Sequence, residues 1–150
     1  MRDLQEVSNL TYNHVLAGFQ GDNPIILKLG LDHEALTREA LALKCFGGYG
    51  AVKVSTEDVG MLLLERAVLA TSLKGYFPDR EPESIEIACS VMKKLHQASI
   101  PVAHNFPHIQ YWLSALDKNC SIPDGYLQKA RKIRDQLLKT TARDVLLHGD

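Results

Sequence analysis

The sequence predicts an α+β fold with strands first and helices after, and three observations carry that prediction. Up to about residue 66, short apolar runs alternate with turns rich in Gly and Asn. Beyond it, apolar residues recur at helical spacings of three and four. With 150 residues, 45% of them hydrophobic and 23% charged, the chain is about one domain long and can bury a core.

The elements follow in order. "TYNHVLAG" alternates in part and reads as a strand, and "GFQGDN" supplies Gly and Asn for a turn. "PIILKLG" is a buried strand carrying one charge, Lys28, among Ile25, Ile26, Leu27 and Leu29. Asp32 can cap a helix over "HEALTREALALKCF", with Leu36, Ala40 and Leu43 on one face. "GGYG", Gly47 to Gly50, ends that helix; it follows a helix and precedes a strand, so it reads as a turn and not as a phosphate loop. "AVKVS" and "MLLLERA" are two further strands joined by "TEDVG".

Helices take over in the second part. Pro82 suits the first turn of "PESIEIACSVMKKLHQ", whose Ile85, Ala88, Cys89, Met92 and Leu95 form an apolar stripe. "HIQYWLSALDK" is a shorter helix in which Trp112 is expected to be core. "DGYLQKARKIRDQLLK" spaces Tyr126, Ala130, Ile133 and Leu137 along one face, its basic residues reading as a solvated face. "DVLL" is a short apolar strand candidate.

Composition excludes several functions. Lys+Arg 17 against Asp+Glu 18 leaves a net charge of -1, with no general electrostatic case for nucleic acid or an anionic membrane. No apolar run approaches a membrane span, and "MRDLQEV" lacks the apolar segment of a signal peptide. Cys45, Cys89 and Cys120 form no C-x-x-C pair and are odd in number, which fits reduced thiols in a cytoplasmic protein. His104 and His108 are four apart, but Pro107 between them argues against a helix presenting both to a metal.

Four features in one order carry chemistry. A lysine sits on a buried strand, a helix with a glutamate follows, an apolar strand ends in "LLLER", and a last apolar run leads into His148-Gly149-Asp150. A strand lysine can neutralise nucleotide phosphates, and a carboxylate on the next helix can hold its ammonium. A strand end between lobes offers backbone groups to adenine, and an aspartate can accept a hydroxyl proton. Glu34 and Glu39 both compete as the helix carboxylate.

In these stretches the chain resembles the aminoglycoside/hydroxyurea antibiotic resistance kinases, a branch of the aminoglycoside phosphotransferase group. The matching segments are "SNLTYNHV", "IILKLG", "REALALKCFGGYGAVKV", "GMLLLERA", "FPHIQYWLSAL" and "VLLHGD". The resemblance implies a protein-kinase-like fold: an antiparallel-sheet N-terminal lobe with one helix over residues 1–66, then a partial helical lobe over 67–150. It implies an ATP-dependent phosphotransferase acting on an alcohol group of a small molecule, an aminoglycoside such as streptomycin or hydroxyurea. Lys28 would be the phosphate lysine, and Glu39, in "REALAL", its partner. "SNLTYN", Ser8 to Asn13, would be the loop over the phosphates, with Ser8, Asn9 and Thr11 at the nucleotide and without a G-x-G-x-x-G. Glu65 to Ala67 would be the adenine hinge, Asp150 the catalytic base, and His148 a shaper of its loop.

Magnesium would accompany ATP, but the group's metal-binding asparagine and further aspartate follow H-G-D, where this sequence stops. The chain therefore looks like a truncated piece of a kinase, expected to be inactive alone and to self-associate through exposed apolar surface. After the hinge the family usually continues Pro-Gly, where this chain has "VLATSL". The alternative is a non-catalytic nucleotide-binding remnant, or an interaction protein of kinase ancestry.

Overall fold

The hairpin of β2 (His14–Gln20) and β3 (Asn23–Leu29) sets the register of the whole sheet. Gln20 pairs with Asn23, leaving only Gly21 and Asp22 for the turn. Gly21 has φ +61, the left-handed backbone that a two-residue hairpin needs. From this turn the pairing runs without a break to His14 opposite Leu29. The computed structural model describes residues 1–7, 13–68, 72–118 and 120–147.

Around the hairpin, β1 (Arg2–Glu6), β4 (Val54–Asp58) and β5 (Met61–Glu65) complete a five-stranded sheet in the order β1-β2-β3-β5-β4, with every neighbouring pair antiparallel. β3 is therefore central, and helix α1 (His33–Cys45) packs on one face of the sheet. Asp32 caps α1 as expected, its carboxylate accepting from the Ala35 N–H at 2.9 Å. Leu36 and Ala40 of α1 meet Leu62 and Leu64 of β5, with Ile26, Leu43, Val52 and Val54 packed around them. The opposite face gathers Ile25, Leu27 and Leu63, with Leu16, Leu29 and Met61 against them. This is the two-residue alternation of a strand expressed as two cores. Leu62 is 0% exposed. Leu62→Ala is expected to cost about 2–5 kcal/mol of unfolding free energy, the loss for a large-to-small change in a filled core. Chemical denaturation measures it, and a change below about 1 kcal/mol would contradict this packing.

Two strands differ from the sequence expectation. β1 was not foreseen, because all five of its residues are exposed and it has no alternation to read. β4 begins at Val54 and runs through Thr56, Glu57 and Asp58, so most of "TEDVG" is strand and the turn shrinks to Val59 and Gly60, the latter at φ +71. An edge strand with one face in water tolerates such polar residues. Lys44, in the last turn of α1, reaches Glu57 at 3.0 Å and ties the helix to that edge.

The chain divides into two compact units: Met1–Val102 with the stretch beginning at Val145, and Ala103–Asp144. The first contains the sheet, α1 and helix α2 (Glu81–Leu95), where Pro82 stands in the first turn as expected. The apolar stripe of α2 is not a buried one. Leu95 is buried, but Ile85 and Met92 are exposed, as are Ile87 and Val91 beside them. Leu146 is buried, yet Val145–Leu147 forms no strand among the described residues.

The second unit holds α3 (Ile109–Leu113), a 3-10 turn over Ser114–Asp117, and α4 (Asp124–Thr140). Here the expected faces change places. Trp112 is 61% exposed and not core, standing edge-on to an exposed Tyr111. Tyr126, Ile133 and Leu137 of α4 are exposed, while Leu127 is buried. The basic side of α4 makes the contacts. Arg131 donates to the Leu116 carbonyl at 2.9 Å, and Arg134 donates to Asp117 at 2.7 Å. Hydrogen bonds to Asp135 and then to Asp117 hold the Arg134 guanidinium above its ordinary range. All three cysteines are free thiols.

Candidate functional site

Lys28 is the penultimate residue of the central strand, opposite Val15 on β2 and Leu62 on β5. Alternation places it on the same face as Ile26, which is the face covered by α1. Its stem is thereby surrounded by apolar side chains, and its ammonium must find a partner close to the sheet. That partner is Glu39: Lys28 Nζ donates to Glu39 Oε2 at 2.6 Å. The two side chains are 21% and 34% exposed, so water screens the pair less than it would on an open surface. Glu39 reaches Lys28 because it follows Leu36 by three residues and precedes Ala40, at the edge of the helix face that packs on the sheet. Of the two candidate glutamates, Glu34 is exposed and faces Arg38 at 3.9 Å, one helical turn away.

The end of β5 is held by a reciprocal contact that the sequence did not signal. The Glu65 N–H donates to the Lys53 carbonyl at 2.8 Å, and the Glu65 carboxylate accepts from the Lys53 N–H at 3.1 Å. The next N–H, that of Arg66, donates to the Pro24 carbonyl at 3.2 Å. Both N–H groups are thus engaged, and among the described residues Ala67 has no backbone acceptor for its own. The side chain of Glu65 anchors the strand end.

Ser8, Asn9, Thr11, His148 and Asp150 lie outside the described residues. Closest to the first group, the Val7 N–H donates to the Val15 carbonyl at 2.9 Å, and His14 Nδ1 stands 3.3 Å from Glu6 Oε1. The histidines near α3 each have local work. The Phe106 N–H donates to His104 Nδ1 and the Gln110 N–H to His108 Nδ1, the latter capping α3. Among the described residues no three His, Cys, Asp or Glu side chains converge to hold a metal ion. An open groove of about 430 Å³ has His14, Gly30, His33 and Gly60 in its walls, but not Lys28 or Glu39. No helix among the described residues is long and apolar enough to cross a membrane.

A five-stranded antiparallel sheet whose central lysine pairs with a glutamate on the covering helix is the arrangement of a kinase-like fold. A solved structure shares the fold: a choline/ethanolamine kinase family protein from Mesorhizobium loti, with a TM-score of 0.68 at 20% identity, covering 99% of this chain and 52% of that one. The chain thus spans about half the length of this structural relative. No curated protein matches the sequence. The family model for aminoglycoside/hydroxyurea antibiotic resistance kinases matches residues 12–150, and the chain belongs to that family.

Proposed function

We propose that the chain forms the nucleotide-holding part of an ATP-dependent phosphotransferase whose acceptor is an alcohol group of a small molecule. Aminoglycosides such as streptomycin, and hydroxyurea, are the acceptors suggested by the family. The observation that carries the reading is the 2.6 Å contact between Lys28 and Glu39 on the α1-covered face of the sheet. ATP would supply the phosphoryl group. Lys28 places a positive charge where phosphate oxygens would lie, and Glu39 holds that charge against the sheet instead of letting it swing into water. The Ala67 N–H donates to the adenine edge, a role that Glu65 and Arg66 cannot take with their own N–H groups engaged. Asp150 accepts the proton of the attacking hydroxyl, and His148 shapes its loop; Ser8, Asn9 and Thr11 cover the phosphates. The exposed Ile85, Ile87, Val91 and Met92 of α2 are the surface through which the chain would self-associate.

Calorimetric titration of ATP and of adenosine into the chain tests this. Both should bind. Ala67→Pro removes one N–H and leaves the carbonyl, and the extended backbone that Pro imposes on Arg66 suits a residue leaving a strand. It should weaken adenosine and ATP equally, by roughly tenfold, the loss of one hydrogen bond. Unchanged adenosine affinity would remove the hinge from the reading, and a chain that binds neither ligand would end it.

A further inference from the structure

Helix α2 leaves two apolar flanks in water. Leu95 is buried and Ser84 and Ala88 are half-buried, and helical spacing puts these three on one side, the side turned to their own unit. On one flank of that side stand Ile85 and Met92, 55% and 48% exposed, with the half-buried Cys89 between them. On the other stand Ile87 and Val91, also exposed. Ile85, Cys89 and Met92 follow one another at steps of four and three, the spacing of a seam that a second helix can cover.

Charge separates the two flanks. Beside Ile87 and Val91, the Glu83 carboxylate is already held by Arg80, at 2.8 and 2.6 Å. Beside the seam of Ile85 and Met92 stand Glu86 and Lys93, both exposed, two turns apart on a single edge of the helix. Among the described residues neither has an ion-pair partner.

A second copy of the same seam supplies both partners in one orientation. In a parallel pair, the edge with Glu86 and Lys93 would meet the opposite edge of the other helix, where Ser84 and Ala88 carry no charge. In an antiparallel pair related by a two-fold axis, that edge meets itself reversed, so Glu86 of each copy faces Lys93 of the other. The same reversal brings Ile85 of each copy against Met92 of the other, because the midpoints of both pairs fall beside Cys89. The small Cys89 side chains then meet near the axis, where two helices approach most closely.

We propose that α2 is the seam of a two-fold homodimer, in which two copies pair this helix antiparallel through Ile85, Cys89 and Met92, with Glu86 of each against Lys93 of the other. This dimer rests on the reading of α2 as the surface of self-association, and it fixes which flank and which direction that surface uses.

Sedimentation equilibrium on the wild-type chain and on charge-reversed variants tests it. The wild type should dimerise reversibly with concentration. Glu86→Lys sets like charges against each other at both contacts and should weaken the dimer roughly tenfold, as should Lys93→Glu. An equimolar mixture of the two variants should recover the wild-type affinity, because each brings the charge the other lacks; so should the chain carrying both reversals. In a Cys45→Ser/Cys120→Ser chain, a short bis-maleimide should join two copies through Cys89. Wild-type association in both single variants, with loss in Val91→Asp, overturns the antiparallel seam and leaves self-association through α2 standing. Two weakened variants that do not rescue each other show that Glu86 and Lys93 do not meet, which also overturns the seam. A Cys89 that stays unlinked in a dimeric chain removes it from the axis and overturns the seam as well. A wild type that is monomeric at every concentration overturns both readings together.

Discussion

Lys28→Met should lower phosphoryl transfer by roughly 10²–10³-fold, the usual loss when one donor to developing transition-state charge is removed. Methionine keeps the apolar stem among Ile26 and Leu62 and removes only the ammonium, so the sheet should stay folded. Glu39→Gln should cost less, because the ammonium survives and loses only the anion that holds it. With side chains 21% and 34% exposed, the pair is partly solvated, and breaking it should change unfolding free energy by no more than about 1 kcal/mol. A large loss of turnover with little loss of stability is the signature of a functional pair. Glu34→Gln is the control: its carboxylate faces Arg38 in solvent and should leave both quantities unchanged. Wild-type turnover in Lys28→Met would remove this lysine from the chemistry.

That pair was legible in the sequence through the order of its motifs more than through periodicity. A lone lysine in an apolar strand can face solvent at an edge, and it was the glutamate helix after it and the H-G-D run that favoured a partner. What the periodicity could not do was choose between Glu34 and Glu39; the family resemblance favoured Glu39, and the sheet geometry places it there. Elements with little burial were harder to read. β1 is exposed throughout and β4 nearly so, and a strand that buries no face leaves no alternation to detect.

The helices failed in a different way. The stripe on α2 announced a helix correctly, but a stripe states which side is apolar and not what lies against it. In α4 the local pattern favoured Tyr126, Ile133 and Leu137, yet the contacts run from Arg131 and Arg134 to Asp117 and to main-chain carbonyls at 113 and 116. Those pairs join residues 14 to 21 positions apart, a distance at which no local spacing rule operates. An arginine with an apolar stem and a forked head can pack one side of a helix as firmly as leucine does. The anchoring role of the Glu65 carboxylate was missed for a related reason: it serves a backbone N–H across the sheet, and such a contact leaves no pattern in composition.

Asp150→Asn should lower kcat by roughly 10²–10⁴-fold, the contribution of a positioned general base. Asparagine keeps the size and hydrogen-bonding reach of aspartate but cannot take the proton of the acceptor hydroxyl at neutral pH. The loss should fall on kcat and leave ATP affinity nearly unchanged, because in this reading Asp150 meets the acceptor while Lys28 and Ala67 meet the nucleotide. Lys28→Met should show the complementary pattern, weakening ATP binding as well as turnover. The two variants together therefore divide the site into a nucleotide half and an acceptor half by separate observables, affinity and rate. Equal weakening of ATP binding by Asp150→Asn would place Asp150 in the nucleotide half. Full activity in that variant would mean that the proton leaves the acceptor by another route, and that Asp150 is not the base.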